Sequence, residues 1–292
     1  MAMRFGLVGT GHWARTVHGR GLVEHPQTEL VGVWGRHRGR TNEVAAELGT
    51  RPYAEVEDLF ADVDAVAFAV PPAVQASLAL RAATAGRHLL LDKPLAIDPA
   101  DADAVVAAVA AAKVASVVFF TSLFTPGIRN WLSEVREQRW DGAFGWWMGN
   151  IHRPGSPYDN SPWRDAYGGL WDTGPHALSL LIPLLGPVTS VTAVGGKRDT
   201  VALVTVHEGG ALGSVTLTLS APEGAGRTGL DLWGVAGRQT MPGRPEAGAA
   251  MQLAITELVE AAGGHEREHP ADVRFGAHVT RLLATAAEQL ET

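Results

Sequence analysis

The sequence predicts an α/β half, a doubly wound parallel sheet, followed by an α+β half with a mostly antiparallel open sheet. Three observations carry this. Short apolar runs alternate with helix-length segments up to about Phe120, as βαβ units require. A glycine pattern closes the first of those runs. Beyond Phe120 the runs alternate apolar with Ser or Thr and are parted by glycine-rich turns, the mark of a sheet buried on one face.

Taken in order, Phe5 to Val8 is the first strand, and Gly9-Thr10-Gly11-His12-Trp13-Ala14 turns it into a helix reaching about Glu24. Glu29 to Trp34 is a strand, Thr41 to Leu48 a helix closed by Gly49, and Glu55 to Phe60 a short helix. Ala65 to Val70 is a strand ending at Pro71-Pro72, and Val74 to Ala85 a helix with Gly86 as its stop. Leu89 to Leu91 is too short for anything but a buried strand, and Pro94 ends its ladder by removing a backbone donor. Asp98-Pro99 opens an alanine-rich helix to about Lys113, and Ala115 to Phe120 is the last strand of this half. The second half reads as a helix from Pro126 to about Arg139, a strand from Phe144 to Ile151, irregular chain from Arg153 to Gly169, and a helix from Trp171 to Leu185. Strands come next at Val188–Val194, Val201–His207, Ala211–Leu219 and Leu230–Val235, then helices at Ala249–Ala262 and Asp272–Gln289. The expected domains are residues 1–120 and 121–292.

Bulk properties exclude several classes. The 292 residues hold two cores with ease, and 46% hydrophobic with 19% charged residues is ordinary globular composition. A net charge of -7 argues against nucleic acid or an anionic membrane as partner. Cysteine is absent, which removes disulfides, thiolate metal sites and cysteine nucleophiles, and fits a reducing cytoplasm. No apolar stretch approaches the ~20 residues of a membrane span. Arg4 and the run cut short at Gly9 read as a strand and turn, not a signal peptide.

Gly9-x-Gly11-x-x-Ala14 lies between a strand and its helix, the context a dinucleotide-binding loop needs. Gly9 permits the turn, Gly11 lets the backbone approach a pyrophosphate, and Ala14 allows close helix–strand packing. The amides of Thr10, His12 and Trp13 at the helix start face that anion. The second strand runs out into Trp34-Gly35-Arg36-His37-Arg38-Gly39-Arg40, with no acidic residue to hold a ribose 2′-hydroxyl. Arg36, with Arg38 or Arg40 behind it, offers a guanidinium fork to a 2′-phosphate, which predicts NADP(H), with NAD(H) as the alternative.

Lys93 is one of three lysines, with Lys113 and Lys197, in a chain that otherwise uses arginine for positive charge. A site that keeps an amine at a strand's carboxyl end points to proton exchange, which arginine cannot perform. In Leu170-Trp171-Asp172-Thr173-Gly174-Pro175-His176, Asp172 and His176 stand four apart and share a helix face. Amine, carboxylate and imidazole together are what reversible hydride transfer requires, since alcohol oxidation releases a proton with each hydride. Histidine titrates near neutrality, and a partly desolvated lysine beside a cationic ring gives up its proton more readily.

These motifs resemble the Gfo/Idh/MocA oxidoreductases, the family of glucose–fructose oxidoreductase and inositol dehydrogenase, almost from end to end. Gly9 to Ala14 is similar to the family's nucleotide loop, and Ala69-Val70-Pro71-Pro72 to the strand end that passes the cofactor. Ala85-Gly86-Arg87-His88 through Asp92-Lys93-Pro94-Leu95-Ala96 resembles its Glu-Lys-Pro stretch, Gly168 to His176 its G-G-x-L-x-D-x-G-x-H signature, and Leu230 to Gly237 its late strand and turn. The resemblance implies a Rossmann domain, proton transfer by Lys93 and His176, and Asp172 orienting substrate or histidine. It further implies Val70, Pro71, Asp92, Lys93, Trp163 and Arg164 at the cofactor, a small sugar, cyclitol or related carbonyl substrate, and a homo-oligomer, dimer or tetramer. Three departures bear on the substrate: Asp92 stands where the family has Glu, Thr121-Ser122-Leu123-Phe124 lacks the usual basic or amide residues, and the late region is compact. The alternatives are a nucleotide-binding sensor without turnover, and elimination or imine reduction on the same fold.

His265-Glu266-Arg267-Glu268-His269 satisfies H-E-x-x-H, but Gly263-Gly264 before it and Pro270 after it break the helix that zinc binding needs, so no metal is expected. Of the tryptophans in the second half, Trp163 and Trp171 adjoin motifs; burial in core or interface accounts for the rest.

Overall fold

The computed structural model describes residues 2–159, 161–264 and 268–290. The chain forms two compact units. One is Met1–Phe119 with Ala247–Thr280, the other Phe120–Glu246 with Arg281–Thr292. The division expected from sequence, 1–120 and 121–292, differs in where it puts 247–280.

The first unit carries β1 (Met3–Val8), π-helical turns at Ala14–Gly19 running into α1 (Arg20–Glu24), β2 (Thr28–Trp34), α2 (Arg38–Glu47), β3 (Arg51–Pro52), α3 (Val56–Ala61), β4 (Ala65–Phe68), α4 (Pro72–Thr84), β5 (His88–Asp92), α5 (Pro99–Ala112) and β6 (Ser116–Phe119). Its six strands are all parallel, in the order β3-β2-β1-β4-β5-β6. Every residue of β4 and β6 is buried, as strands covered on both faces must be. Local chemistry sets the helix starts. The Asp98 side chain accepts a hydrogen bond from the amide of Ala100, with Pro99 in the first turn.

The second unit opens with α6 (Thr121–Phe124) and α7 (Pro126–Val135), then β7 (Gly142–Met148) and α8 (Pro162–Leu185). Five strands come after it: β8 (Val188–Gly195), β9 (Val201–His207), β10 (Leu212–Thr218), β11 (Arg227–Gly234) and β12 (Gly237–Thr240). With β7 they form a six-stranded sheet in the order β12-β11-β7-β10-β9-β8, antiparallel except for β7 beside β10. Helix α8 covers one face. A Cβ on Gly169 would stand 2.6 Å from the Thr218 Cα, so the glycine is what lets helix backbone approach strand backbone. The last helices are α9 (Ala247–Gly263) and α10 (Val273–Glu288).

The short β3 and α6 have no counterpart in the sequence reading, and α8 and β12 depart from it more instructively. The sequence predicts irregular chain through Gly169, yet α8 begins at Pro162, and only Gly168 (φ 59, ψ -157) is non-helical. That one left-handed glycine splits the periodic pattern and hides the first turns. Strand β12 is exposed throughout and escapes sequence reading because it has no buried face to give it an apolar period.

The break is held from outside the helix. The Asp199 carboxylate accepts bonds from the Thr218 hydroxyl (2.7 Å) and the Leu219 amide (2.6 Å), and its Cβ lies 3.0 Å from where a Gly168 Cβ would be. Burial alone would raise this carboxyl; the bonds from Thr218, Leu219 and Ser220 outweigh it and hold it below the usual carboxylate range. A depressed group adds stability above its unfolded value, near ~3.9, which is lost as pH falls through its folded value. Asp199→Asn is therefore expected to weaken the protein at neutral pH and to narrow the gap between neutral and acid stability. Urea denaturation at the two pH values measures this, and an unchanged gap would refute it.

Candidate active site

In the first unit the expected cofactor residues gather at the carboxyl edge of the sheet. Gly9 has φ +133, its amide donates to the Trp34 carbonyl (2.9 Å), and a Cβ there would lie 2.4 Å from the Ala69 carbonyl oxygen. Gly35 packs on Thr10, where an added Cβ would meet the Thr10 methyl at 2.6 Å. The ends of β1, β2 and β4 thus close on one another through glycine, and Val70 and Pro71 continue from β4, half-buried. Gly11 is the opposite case. It is exposed, and an added Cβ would meet nothing within 4 Å. A tight turn below and open backbone above make a cradle that fits a pyrophosphate. His12 is exposed and Trp13 half-buried at the helix start.

Arg36 lies between β2 and α2, and Arg38 opens α2; both are exposed, as is Arg40. No acidic residue occupies the first turn of that helix. Cations at a helix N-terminus oppose the macrodipole, and a bound anion would offset that cost. Trp34 ties its indole N–H to the Ala54 carbonyl (3.1 Å).

Lys93 leaves the end of β5, half-buried, through a cis bond to Pro94. Its surroundings are ordered by two residues that sequence reasoning missed. Gln75, buried on α4, accepts from the Asp92 amide (2.9 Å) and donates to the carbonyls of Asp92 (2.7 Å), Pro94 (3.1 Å) and Leu95 (3.2 Å). His18, wholly buried in the π-helical turns, places Nε2 3.2 Å from an Asp92 carboxylate oxygen. The other oxygen accepts from the Lys93 amide at 2.7 Å. Burial pushes the Asp92 carboxyl up, but the bond and charge of His18, the charge of Lys93 and the Lys93 amide together hold it below the usual range. A faint signal existed. Each is a lone polar residue on an otherwise apolar helix face, His18 after Ala14 and Val17, Gln75 beside Pro72, Ala76 and Ala79.

In the second unit α8 carries Trp163, Arg164, Asp172 and His176. The Arg164 Nε donates to Asp172 (3.1 Å), and Nη1 donates to the Ser161 hydroxyl (3.2 Å). Its guanidinium lies 4.6 Å from the ring centres of both Trp163 and Tyr158, cation–π distance. The turn break at Gly168 lets a residue of the first turns pair with one eight positions on. His176 lies one turn past Asp172 on the same face, half-buried, and Trp171 is buried edge-on to Tyr167.

His265, Glu266 and Arg267 of the H-E-x-x-H run lie outside the described residues; His269 bonds Glu257 at 2.6 Å. Among the described residues no cluster of three or more His, Asp or Glu could hold a metal, and no helix is long and apolar enough to cross a membrane.

Comparison with known proteins agrees with this architecture. Residues 3–120 match the family model described as "Oxidoreductase family, NAD-binding Rossmann fold", and residues 134–239 match the "GFO/IDH/MocA C-terminal domain". A UDP-N-acetylglucosamine 3-dehydrogenase of Acidithiobacillus ferrooxidans is 38% identical over 104 residues, 36% of this chain and 32% of that one. The chain spans only 32%, 52% and 62% of the length of three curated relatives that it matches. The crystal structure of GenD2 from gentamicin A biosynthesis, in complex with NAD, superposes with a TM-score of 0.86 at 20% identity, over 99% of this chain and 94% of that one. The WlbA dehydrogenase from Bordetella pertussis, in complex with NADH and UDP-GlcNAcA, gives 0.81 at 24% identity, over 100% and 97%. With both domain models matched in order on a parallel six-stranded sheet and a mixed second sheet, the chain belongs to the Gfo/Idh/MocA family of oxidoreductases.

Proposed function

We propose that the protein moves a hydride between a nicotinamide cofactor and a secondary alcohol or ketone of a sugar, cyclitol or related small molecule. The observation that carries this is Lys93, an amine at the carboxyl end of β5 whose main chain is fastened on both sides. It lies in the same unit as a glycine cradle shaped for a pyrophosphate. The name of a relative, a UDP-N-acetylglucosamine 3-dehydrogenase, supports the substrate class.

The backbone of Gly9 to Trp13 would hold the cofactor's phosphates, and the bound nicotinamide supplies the hydride acceptor or donor. The chain's own groups handle the proton. Lys93 and His176 take it from the alcohol oxygen or return it to the carbonyl oxygen, since each can change protonation where arginine cannot. Asp172 is engaged by Arg164, so it orients neighbours rather than accepting the proton. Trp163 and Tyr158 keep that guanidinium in its plane. A fluorescence screen with NADPH and NADH across sugars, inositols and ketones tests the reading. Finding no turnover with any polyhydroxylated or carbonyl compound, despite cofactor binding, would favour a sensor.

The arginines support NADP(H) as the cofactor, because Arg36 with Arg38 stands where a 2′-phosphate would need a counter-charge. NADPH is expected to bind about tenfold or more tightly than NADH, and Arg36→Ala to remove most of that difference while leaving NADH affinity unchanged. Titration by cofactor fluorescence measures both, and tighter NADH binding in the unsubstituted protein would end the idea.

A homo-oligomer is the third part of the reading. Phe144, Val194, Val204, Leu212 and Trp233 are exposed on the face of the second sheet opposite α8. An apolar sheet face of that kind suits a second copy of the chain.

A further inference from the structure

We propose that His18 is a positioning residue for Lys93: through Asp92 it fixes where the lysine leaves the sheet, and it shares the carboxylate's charge that the lysine amine would otherwise meet alone. The inference rests on assigning Lys93 to proton transfer.

The argument begins with burial. Asp92 lies at the end of β5 with its side chain 13% exposed, and His18 is 0% exposed. A carboxylate so placed needs a partner, because an uncompensated buried charge is strongly destabilising. The groups facing it can be named. From the first helix comes His18, and next to Asp92 on the chain Lys93, each charged or titratable. Gln75 from α4 is neutral, and so is Phe119, which is paired with Asp92 in the β5–β6 register and stands edge-on to the His18 ring at 5.8 Å.

The π winding of Ala14–Gly19 brings the histidine there. One residue more per turn rotates the rest of the helix by about 100° relative to α winding, and such turns gather at functional sites. With Nε2 on Asp92, the other ring nitrogen, Nδ1, meets no hydrogen-bond partner among the described residues, so the imidazole's one bond is the one to the carboxylate. The two Asp92 oxygens are then divided, one on imidazole and one on the Lys93 amide. Without His18, the carboxylate still feels the charge of Lys93. The lysine would be drawn onto its own neighbour and held in its charged form, the form that cannot accept a proton from an alcohol.

The three lysines make a direct test available that needs no substrate. Reductive methylation with ¹³C-formaldehyde labels Lys93, Lys113 and Lys197, and Lys93→Met assigns the signal of interest. In His18→Gln, which keeps a neutral donor near Asp92, the Lys93 signal is expected to move and its titration midpoint to rise by about one pH unit. The signals of Lys113 and Lys197 should stay in place. Adding Asp92→Asn, which removes the charge, should bring the midpoint back down even if the single variant folds poorly. An unmoved midpoint in His18→Gln, or a raised one that persists in the double variant, overturns the proposal. Turnover by Lys93→Met at the unsubstituted rate would instead overturn the role of Lys93, and this inference with it.

Discussion

Lys93→Met is expected to lower kcat for hydride transfer by about 10²–10⁴-fold while cofactor affinity stays within about threefold. Methionine keeps most of the reach and the apolar stem of lysine and removes both its charge and its exchangeable proton. The fastening of the strand end is kept, because the bonds made there by Gln75 and Asp92 go to backbone atoms. Lys93→Arg sharpens the test. Arginine retains the charge yet cannot surrender a proton at neutral pH, so it should fail almost as badly as methionine. A lysine needed only for charge would be rescued by arginine, and that result would refute the proton role. His176→Ala should also cut turnover, by a smaller factor if the two groups share the proton.

The second large effect belongs to the glycine loop, where two neighbouring glycines are expected to fail in different ways. Gly9→Ala forces a Cβ to 2.4 Å from the Ala69 carbonyl oxygen at a backbone φ of +133. Strain at a left-handed position and overpacking against fixed backbone each cost about 1–3 kcal/mol, so the melting temperature should fall by roughly 10 °C. Cofactor binding should go with it, since the obstructing atom belongs to the exit of β4. Gly11→Ala meets nothing within 4 Å and should melt as the unsubstituted protein does. Its methyl group, however, enters the space over the loop, so cofactor affinity should drop by tenfold or more, about 1.4 kcal/mol. Thermal melts beside fluorescence titrations separate the cases. Normal cofactor affinity in Gly11→Ala would mean the phosphates bind elsewhere.

Most of the fold was legible because its signals are local. β4 and β5 announce themselves as short apolar runs, α4 and α5 as helices with proline at the start. The hidden parts have physical reasons for being hidden. The first turns of α8 are cut from the rest by Gly168, so no continuous period reveals them. β12 is exposed along its whole length, and β3 spans two residues. At the candidate site, motif residues were visible because glycine, lysine and histidine at fixed spacing carry chemistry in their identity. The partners were not. His18 and Asp92 are 74 positions apart, Gln75 and Asp92 are 17, and only the winding of the sheet makes them neighbours. The Arg164–Asp172 pair was equally unreadable, since it depends on the break between them.

The discontinuous first unit has a bearing on synthesis. Its β6 edge is finished by the carboxyl-terminal part of the chain: the Val118 amide donates to the Ala271 carbonyl, the Val273 amide to the Ser116 hydroxyl, and α9 packs on α1, β5 and β6. A ribosome that has released only the first 120 residues has therefore made a nucleotide-binding sheet with one flank bare. That flank waits, open to chaperones and to misassembly, until Thr280 has emerged. A shortened gene ending near Phe120 should yield aggregated product, whereas joining the same stretch to Ala247–Thr280 through a flexible tether should recover a folded cofactor-binding module.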